Sequence, residues 1–475
     1  MKRCDTEDRS SSIRLLDTAS KRQQPFQPLG DVATMYVCGM TPKDKPHIGH
    51  ARLFVHADVC RRYLEYRGFK VNHVQNFTDI DDKIIERATA AGRDPMELSR
   101  ENSLAYFDVM DKLNVLHAHL FPKVTDNIAA IIASIEELIV KGHAYETSTG
   151  VYFEVKSWGE YGKLSGRTEA DAMAGARVEV DPEKRDPRDF ALWKLQKEGE
   201  VYWESPWGRG RPGWHIECSS MIRRHLGPQI DIHWGGSDLI FPHHENELAQ
   251  AEAGFGVGPF VGVWMHLAVL RINGEKMGHS MGNFVTVETL FEEFDPQIVR
   301  LYLVSTKYRS PVDFSRESLP QAAAGYESLW AVLRARPADP GEDDASSASA
   351  LQDATTEARA RFERALDDDL NTAAALATLY DFGKVINRLA SQSTAANLSV
   401  ATQHFKNLAG VLGLEPASRA TDNGDVEPLI QLLIDVRSEL RDQNVWDVSD
   451  RIRNELAELG VTLEDGPSST TWRRN

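Results

Sequence analysis

The chain has 475 residues, 41% hydrophobic and 26% charged, which excludes wholesale disorder and provides enough apolar material for a full core. At roughly 150 residues per domain, the length predicts about three domains. With 54 Lys+Arg against 71 Asp+Glu the net charge is −17, so the chain is no general nucleic-acid binder, though a local basic face stays open to it.

The first residues are too polar for a secretory signal, and residues 1 to about 24 read as a polar tail. No later stretch holds 18 consecutive apolar residues, so no membrane span is expected. The four cysteines (Cys4, Cys38, Cys60 and Cys218) are scattered, which argues for a reducing cytoplasm over a disulfide framework. Met35 to Cys38 reads as a strand. A helix follows from about His47, with Ala51, Phe54, Val55, Val59, Tyr63 and Tyr66 near a 3.6-residue period and Gly68 as its stop. Lys70 to Phe77 reads as a second strand, and strand–helix–strand predicts a βαβ unit in a parallel sheet. Helical segments fill 83–142, broken at Pro122, and Val151, Phe153 and Val155 alternate as in a strand. The stretch 156–213, rich in Gly, Pro, Trp and charge, reads as an irregular insertion. Strand and helix alternation returns from Trp214 to about Arg300. Residues 336–350 read as a linker, followed by a helical block with Leu376, Leu379, Tyr380, Gly383 and Ile386 on one face. A last helical stretch, 428–459, closes at Gly460.

Four constellations carry chemistry. His47-Ile48-Gly49-His50 opens a helix after a strand, where backbone N–H groups and the helix dipole favour an anion; Gly49 leaves room for a flat base. Cys38, Cys218, His243 and Glu247 make a plausible zinc set, and His243 and Glu247 share a helix face at i, i+4. His244 would have Leu248 at i+4, which cannot ligate, so His243 is favoured. The bland alternative is two buried structural cysteines. Lys276-Met277-Gly278-His279-Ser280 suits a mobile loop that closes over phosphates, or a plain surface turn. In Thr78-Asp79-Ile80-Asp81-Asp82-Lys83 the carboxylates read as helix caps rather than a divalent-ion site, because hard ions need several oxygens.

Taken together and in order, Tyr-Val-Cys-Gly (36–39), His-Ile-Gly-His-Ala-Arg (47–52), Thr-Asp-Ile-Asp-Asp-Lys (78–83), Pro-Gly-Trp-His-Ile-Glu-Cys-Ser (212–219), Gly-Gly-Ser-Asp-Leu-Ile-Phe-Pro-His-His-Glu-Asn-Glu (235–247) and Leu-Glu-Asp-Gly-Pro (463–467) resemble cysteinyl-tRNA synthetases over nearly the whole chain. The resemblance implies an α/β class I synthetase. Its Rossmann-type parallel-sheet catalytic domain would span about 25–320, with a connective insertion at about 115–210 and a stem or linker at about 321–350. An all-α helical bundle would follow at about 351–420, and a small anticodon-binding region at about 425–475. It implies one zinc ion on Cys38, Cys218, His243 and Glu247, and an amino-acid pocket lined by Thr78, Trp214 and His233. It implies ATP binding by His47, Gly49, His50 and Lys276, Mg²⁺ carried with ATP, and L-cysteine and tRNA-Cys as the other substrates of a cytoplasmic monomer. Zinc would select cysteine over serine, since a soft thiolate binds it far better than a hydroxyl.

The chain departs from the family at two places. The usual Lys-Met-Ser-Lys-Ser loop has His279 at its second lysine, and an unperturbed histidine is mostly neutral above about pH 6.5, so slower activation with a steeper acid side is expected. The family's Gly-Pro-Thr after the first cysteine is Gly39-Met40-Thr41-Pro42-Lys43-Asp44-Lys45, where Lys43 and Lys45 are candidates to replace missing charge. The Cys-Gly-x-Thr-Pro pattern is also similar to ligases that join cysteine to an amino-sugar in mycothiol synthesis. Arg437, Arg441, Arg451, Arg453 and the Trp472-Arg473-Arg474 end argue instead for a tRNA acceptor. A non-charging paralogue is the third reading, motivated by His279.

Overall fold

The structure is a computed structural model that describes residues 13–167, 182–276, 283–337, 345–417, 426–443, 445–465 and 470–474. The chain forms two compact units, residues 1–416 and 417–475.

The larger unit is built on a four-stranded sheet. A hairpin, β1 (Arg14–Asp17) and β2 (Arg22–Pro25), precedes β3 (Val32–Val37), α1 (Ile48–Tyr66) and β4 (Lys70–Gln75). Then come α2 (Asp82–Ala90), α3 (Pro95–Lys112) and α4 (Ile128–Val140). Strands β5 (Ala144–Glu146), β6 (Gly150–Phe153), β7 (Phe190–Leu195) and β8 (Gly210–Pro212) lead into α5 (Trp214–His225), β9 (Ile230–Gly236), α6 (Glu245–Phe255) and β10 (Val261–Leu267). The central sheet has the order β10-β9-β3-β4 and all its pairings are parallel. The βαβ unit expected at 35–77 is β3–α1–β4. Because β3 feeds β4 on one side and borders β9 on the other, the strand order reverses between β3 and β9. In open α/β sheets that reversal, at the carboxyl ends of the strands, is where ligands bind.

Strands β5 to β8 form a separate antiparallel sheet with its own core, in which Trp193, Phe153 and Val151 are buried with Ile131 and Ile135 of α4. This corrects the expectation of an irregular 156–213: β7 and β8 lie within it. Its alternation is hidden because β7 is buried on both faces near its start and its neighbours are charged turns. The polar tail is corrected from residue 13 on, and residues 1–12 lie outside the described residues. Ile13 and Leu15 are fully buried, Thr18 N–H donates to the Trp264 carbonyl at 3.0 Å, and buried Asp17 accepts from Trp264 N–H at 2.9 Å, so the hairpin extends along β10. Two alternating apolar residues among charges gave too weak a signal to read.

Beyond β10, β11 (Leu270–Ile272) pairs with β12 (Glu275–Lys276) and with β13 (Val312–Phe314), and α7 (Val287–Phe291) and α8 (Pro296–Val304) lie between. Helices α9 (Leu319–Trp330), α10 (Ala345–Asp367), α11 (Thr372–Leu389) and α12 (Ala395–Val411) bury Trp330, Phe362, Leu379, Phe382 and Phe405 in a core continuous with that of the sheet. The expected face of α11 is the buried one, with Leu376, Leu379, Gly383 and Ile386 inside. The smaller unit holds α13 (Val426–Asp442), α14 (Trp446–Glu458) and the hairpin β14 (Val461–Asp465) and β15 (Thr470–Arg474), around Ile430, Ile434, Leu456, Val461 and Leu463. Arg437, one of the arginines that argue for a tRNA acceptor, is buried, 2% exposed.

Candidate active site and metal cluster

A cavity of about 630 Å³ opens at the carboxyl ends of the central strands, lined there by Cys38, Thr78, Gly236 and Leu267. Gly39 lets β3 leave the sheet at this point: a Cβ there would lie 1.5 Å from the Asn76 carbonyl oxygen. Its N–H donates to Asn76 Oδ1 at 2.9 Å, tying the two strand ends together.

His47, Gly49 and His50 line the same cavity. His47 is the N-cap of α1, and the two imidazoles form a reciprocal capping box. His50 N–H donates to His47 Nδ1 at 3.2 Å and His47 N–H to His50 Nδ1 at 3.4 Å. The rings stack at 3.6 Å between centroids. Burial, and then the charge of Lys43, lower His50 to about 4. The ring is therefore neutral at physiological pH, and with Nδ1 accepting it holds its proton on Nε2 as a donor. Lys43 lines the cavity, but Lys45 is paired with Glu288 at 2.6 Å, so its charge is already spent.

Cys38, Cys218 and His243 also line the cavity, and with Glu247 the four expected metal-ligating residues converge from three elements. Cys38 follows β3, Cys218 sits on α5, and His243 and Glu247 flank the start of α6. Cys38 Sγ lies 4.0 Å from Cys218 Sγ and 3.7 Å from Glu247 Oε1, and His243 Nε2 lies 2.8 Å from Glu247 Oε1. Two thiolates on a tetrahedral zinc are about 3.8 Å apart for Zn–S bonds of about 2.3 Å, so the sulfur spacing fits. Hydrogen bonding from Cys38 and His243 outweighs burial and lowers Cys218 to about 6, whereas burial raises Cys38. Burial works against the charged forms of His243 and Glu247, yet their mutual attraction carries His243 up to about 10 and Glu247 down to about 2.

The sequence missed a layer behind this cluster. His244 also belongs to it: donor atoms of Cys38, His243, His244 and Glu247 all lie within 4.8 Å of one another. His244 Nε2 is 3.3 Å from Cys38 Sγ, its Nδ1 is 2.7 Å from His266 Nε2, and His266 Nδ1 is 2.8 Å from Thr18 Oγ1. Burial keeps His244 and His266 neutral. One tautomer set satisfies the run: Thr18 O–H donates to His266, His266 to His244, and His244 to the Cys38 sulfur. Gly235 makes room for it, since a Cβ there would lie 2.4 Å from the His244 ring.

Thr78 and Trp214 line the cavity as expected, and the Trp214 ring stacks on His243 at 4.2 Å. His233 is a correction. Its side chain is fully buried behind the cluster and its Nε2 is 3.0 Å from Glu247 Oε2, so it supports Glu247 instead of lining the pocket. A strand register cannot tell which neighbour a buried imidazole will meet. Thr78 Oγ1 donates to Glu217 at 3.3 Å, and burial raises the Glu217 carboxyl well above its ordinary range. The acidic run 78–83 divides its carboxylates among separate tasks. Asp79 accepts from Thr125, Asp81 caps α2 through Lys83 N–H, and Asp82 pairs with Lys194 and Arg211. Among the described residues the only clustered metal donors are those around Cys38. Lys276 ends the β11–β12 hairpin, paired with Arg271 of the cavity lining, and His279 lies outside the described residues.

The family model "tRNA synthetases class I (C) catalytic domain" matches residues 25–324, and that of the DALR domain matches 361–415. The chain is 45% identical to the cysteine--tRNA ligase of Thermococcus gammatolerans over 98% of its own length and 99% of the relative's. It is 44% identical to that of Dehalococcoides mccartyi, over 97% and 99%. Among solved structures, methionyl-tRNA synthetase of Mycobacterium tuberculosis in complex with methionyl-adenylate is similar at a TM-score of 0.58 and 17% identity, covering 81% of this chain and 90% of that one. A leucyl enzyme of Agrobacterium radiobacter in a ternary complex with tRNA is similar at 0.59 and 12%, covering 82% and 86%. These two likenesses concern the fold. The parallel sheet with its cavity at the strand ends, the matched catalytic domain and the near-full-length identity agree: the chain belongs to the cysteine--tRNA ligase family of class I tRNA synthetases.

Proposed function

We propose that the protein activates L-cysteine with ATP and transfers it to the 3′ end of tRNA-Cys. The observation that carries this reading is one cavity with paired histidine donors on one wall and a buried Cys/His/Glu cluster on the other. In the first step a cysteine carboxylate oxygen attacks the α-phosphorus of ATP, and pyrophosphate leaves. In the second, a ribose hydroxyl of the tRNA end attacks the acyl carbon, and AMP leaves. Neither step needs a covalent protein nucleophile. His50 donates from Nε2 to phosphate oxygens, His47 shares that wall, and Gly49 leaves space for the adenine; donors fixed before the reaction cost no reorganisation. Lys276 and His279 supply the loop side of the phosphate site, and Mg²⁺ accompanies the ATP. Thr78 and Trp214 frame the amino acid.

Cys38, Cys218, His243 and Glu247 would hold zinc, whose donor preferences the set matches. When bound, zinc supplies a soft acceptor for the substrate thiolate that a serine hydroxyl cannot match. His233 and His244 hold Glu247 and Cys38 in place. The match over 98% of the chain includes the smaller unit, which supports a tRNA acceptor over an amino-sugar. Cysteine-dependent ATP–pyrophosphate exchange, followed by transfer to a tRNA-Cys transcript, is the expected result. Exchange without transfer would overturn the acceptor, and no exchange in zinc-loaded protein would overturn the reading. Metal analysis should find one zinc per chain, reduced at least tenfold in Cys218→Ser.

A further inference from the structure

A second cavity, of about 690 Å³, lies between the insertion sheet and the catalytic fold. It shares Lys83, Trp214, Asp238 and Leu239 with the first, so these residues form the wall between the two. Tyr152, Tyr161, Phe190 and Phe241 also line it, giving flat apolar surfaces of the kind on which unpaired bases stack.

The cations of this cavity are mostly spent. Lys194 and Arg211 are paired with Asp82, and Arg188 with Asp186. Lys83 differs. It is exposed, makes no ion pair among the described residues, and its ammonium stands 5.7 Å from the centroid of the Trp214 ring. It occupies the first turn of α2, where the helix dipole disfavours a cation. A lysine held there without a carboxylate is placed to meet an anion from outside the protein. The histidine wall that faces ATP belongs to the first cavity alone. An anion at Lys83 therefore sits between the adenylate and the aromatic cavity. Asp81, Glu86, Asp189, Glu217 and Asp238 line the second cavity too, so Lys83 is the cation there that offsets them for an incoming phosphate.

We propose that Lys83 is an acceptor-binding residue: it meets the last phosphodiester of the tRNA, with the unpaired 3′ nucleotides in the second cavity and the terminal ribose reaching into the first. The inference rests on the charging reading above. It is tested in the zinc-loaded full chain with Lys83→Met and Lys83→Arg, comparing pyrophosphate exchange with single-turnover transfer from preformed cysteinyl adenylate. In Lys83→Met, transfer should fall at least tenfold more than exchange, and Lys83→Arg should recover most of the loss. A tRNA carrying a neutral methylphosphonate at its last linkage should slow the wild type by a similar factor and Lys83→Met no further. Equal losses in both half-reactions, undiminished transfer, or a methylphosphonate effect that persists in Lys83→Met would each overturn the assignment. If the wild type exchanges but does not transfer, the charging reading fails first and this inference falls with it.

Discussion

His50 is neutral at pH 7 for a structural reason, its burial beside Lys43, and it gains a proton only near pH 4. It therefore cannot produce an acid limb of activity near neutrality. An unperturbed histidine titrates near pH 6.5, so His279 in place of a permanently charged lysine would bring a loss of activity on the alkaline side of that pH. If His279 contacts the triphosphate as proposed, its charge would aid below that pH and be lost above it. On this account the activation step loses loop charge as pH rises through about 6.5, whereas His279→Lys keeps it. His279→Lys should raise the exchange rate at pH 7.5 by about three- to tenfold and flatten its profile between pH 6 and 8. An unchanged profile in the variant would assign the pH dependence to another group. This sign runs against the steeper acid side expected of the sequence: on the charge argument, protonation of His279 helps and activity falls as pH rises.

Among the elements, the insertion sheet is fastened to the catalytic fold through Asp82 at the start of α2. One carboxylate oxygen lies 2.7 Å from Lys194 Nζ on β7, and the other binds Arg211 on β8. Arg211 is nearly buried, and three residues further on the chain reaches Trp214, which lines the cavity and is proposed to frame the amino acid. Asp82→Asn removes the charge and leaves Arg211 with Glu200, 3.9 Å away, as its remaining carboxylate. A loss of about 1–2 kcal/mol is expected from a part-buried pair of this kind. Melting temperature should drop by a few degrees, and KM for cysteine should rise more than kcat falls, as Trp214 loses its anchor. Asp82→Glu should recover part of both. A KM unchanged in Asp82→Asn would limit this pair to stability. The sequence showed Asp82 only as a first-turn carboxylate, since its partners are more than a hundred residues away.

At the scale of the molecule, what was legible follows from range. The βαβ unit, the paired histidines at the start of α1 and the convergence of Cys38, Cys218, His243 and Glu247 could be read because motif spacing or ligand chemistry marks them locally. The His244–His266–Thr18 run, the position of His233 behind Glu247 and the N-terminal hairpin on β10 could not, because each joins segments that only the folded sheet brings together. Packing of the same kind buries His56 and His73, both within a few per cent of full burial. Burial, reinforced by Arg52 for one and Arg61 for the other, lowers each to about 3. Both are uncharged in the native state and charge freely on unfolding below about pH 6.5. Between about pH 6.5 and 3 the unfolded chain binds more protons, so stability falls as pH falls, by up to about 1.4 kcal/mol per pH unit for each histidine. Among the described residues neither ring nitrogen of His73 has a hydrogen-bond partner, so an apolar side chain there removes a titrating group without stranding another. In urea titrations followed by tryptophan fluorescence, His73→Leu should match or exceed the wild type at pH 7.5. Between pH 6 and 4.5 it should lose less stability per pH unit, by up to about 1.4 kcal/mol. Parallel slopes for the two proteins would show that His73 does not contribute to the acid lability.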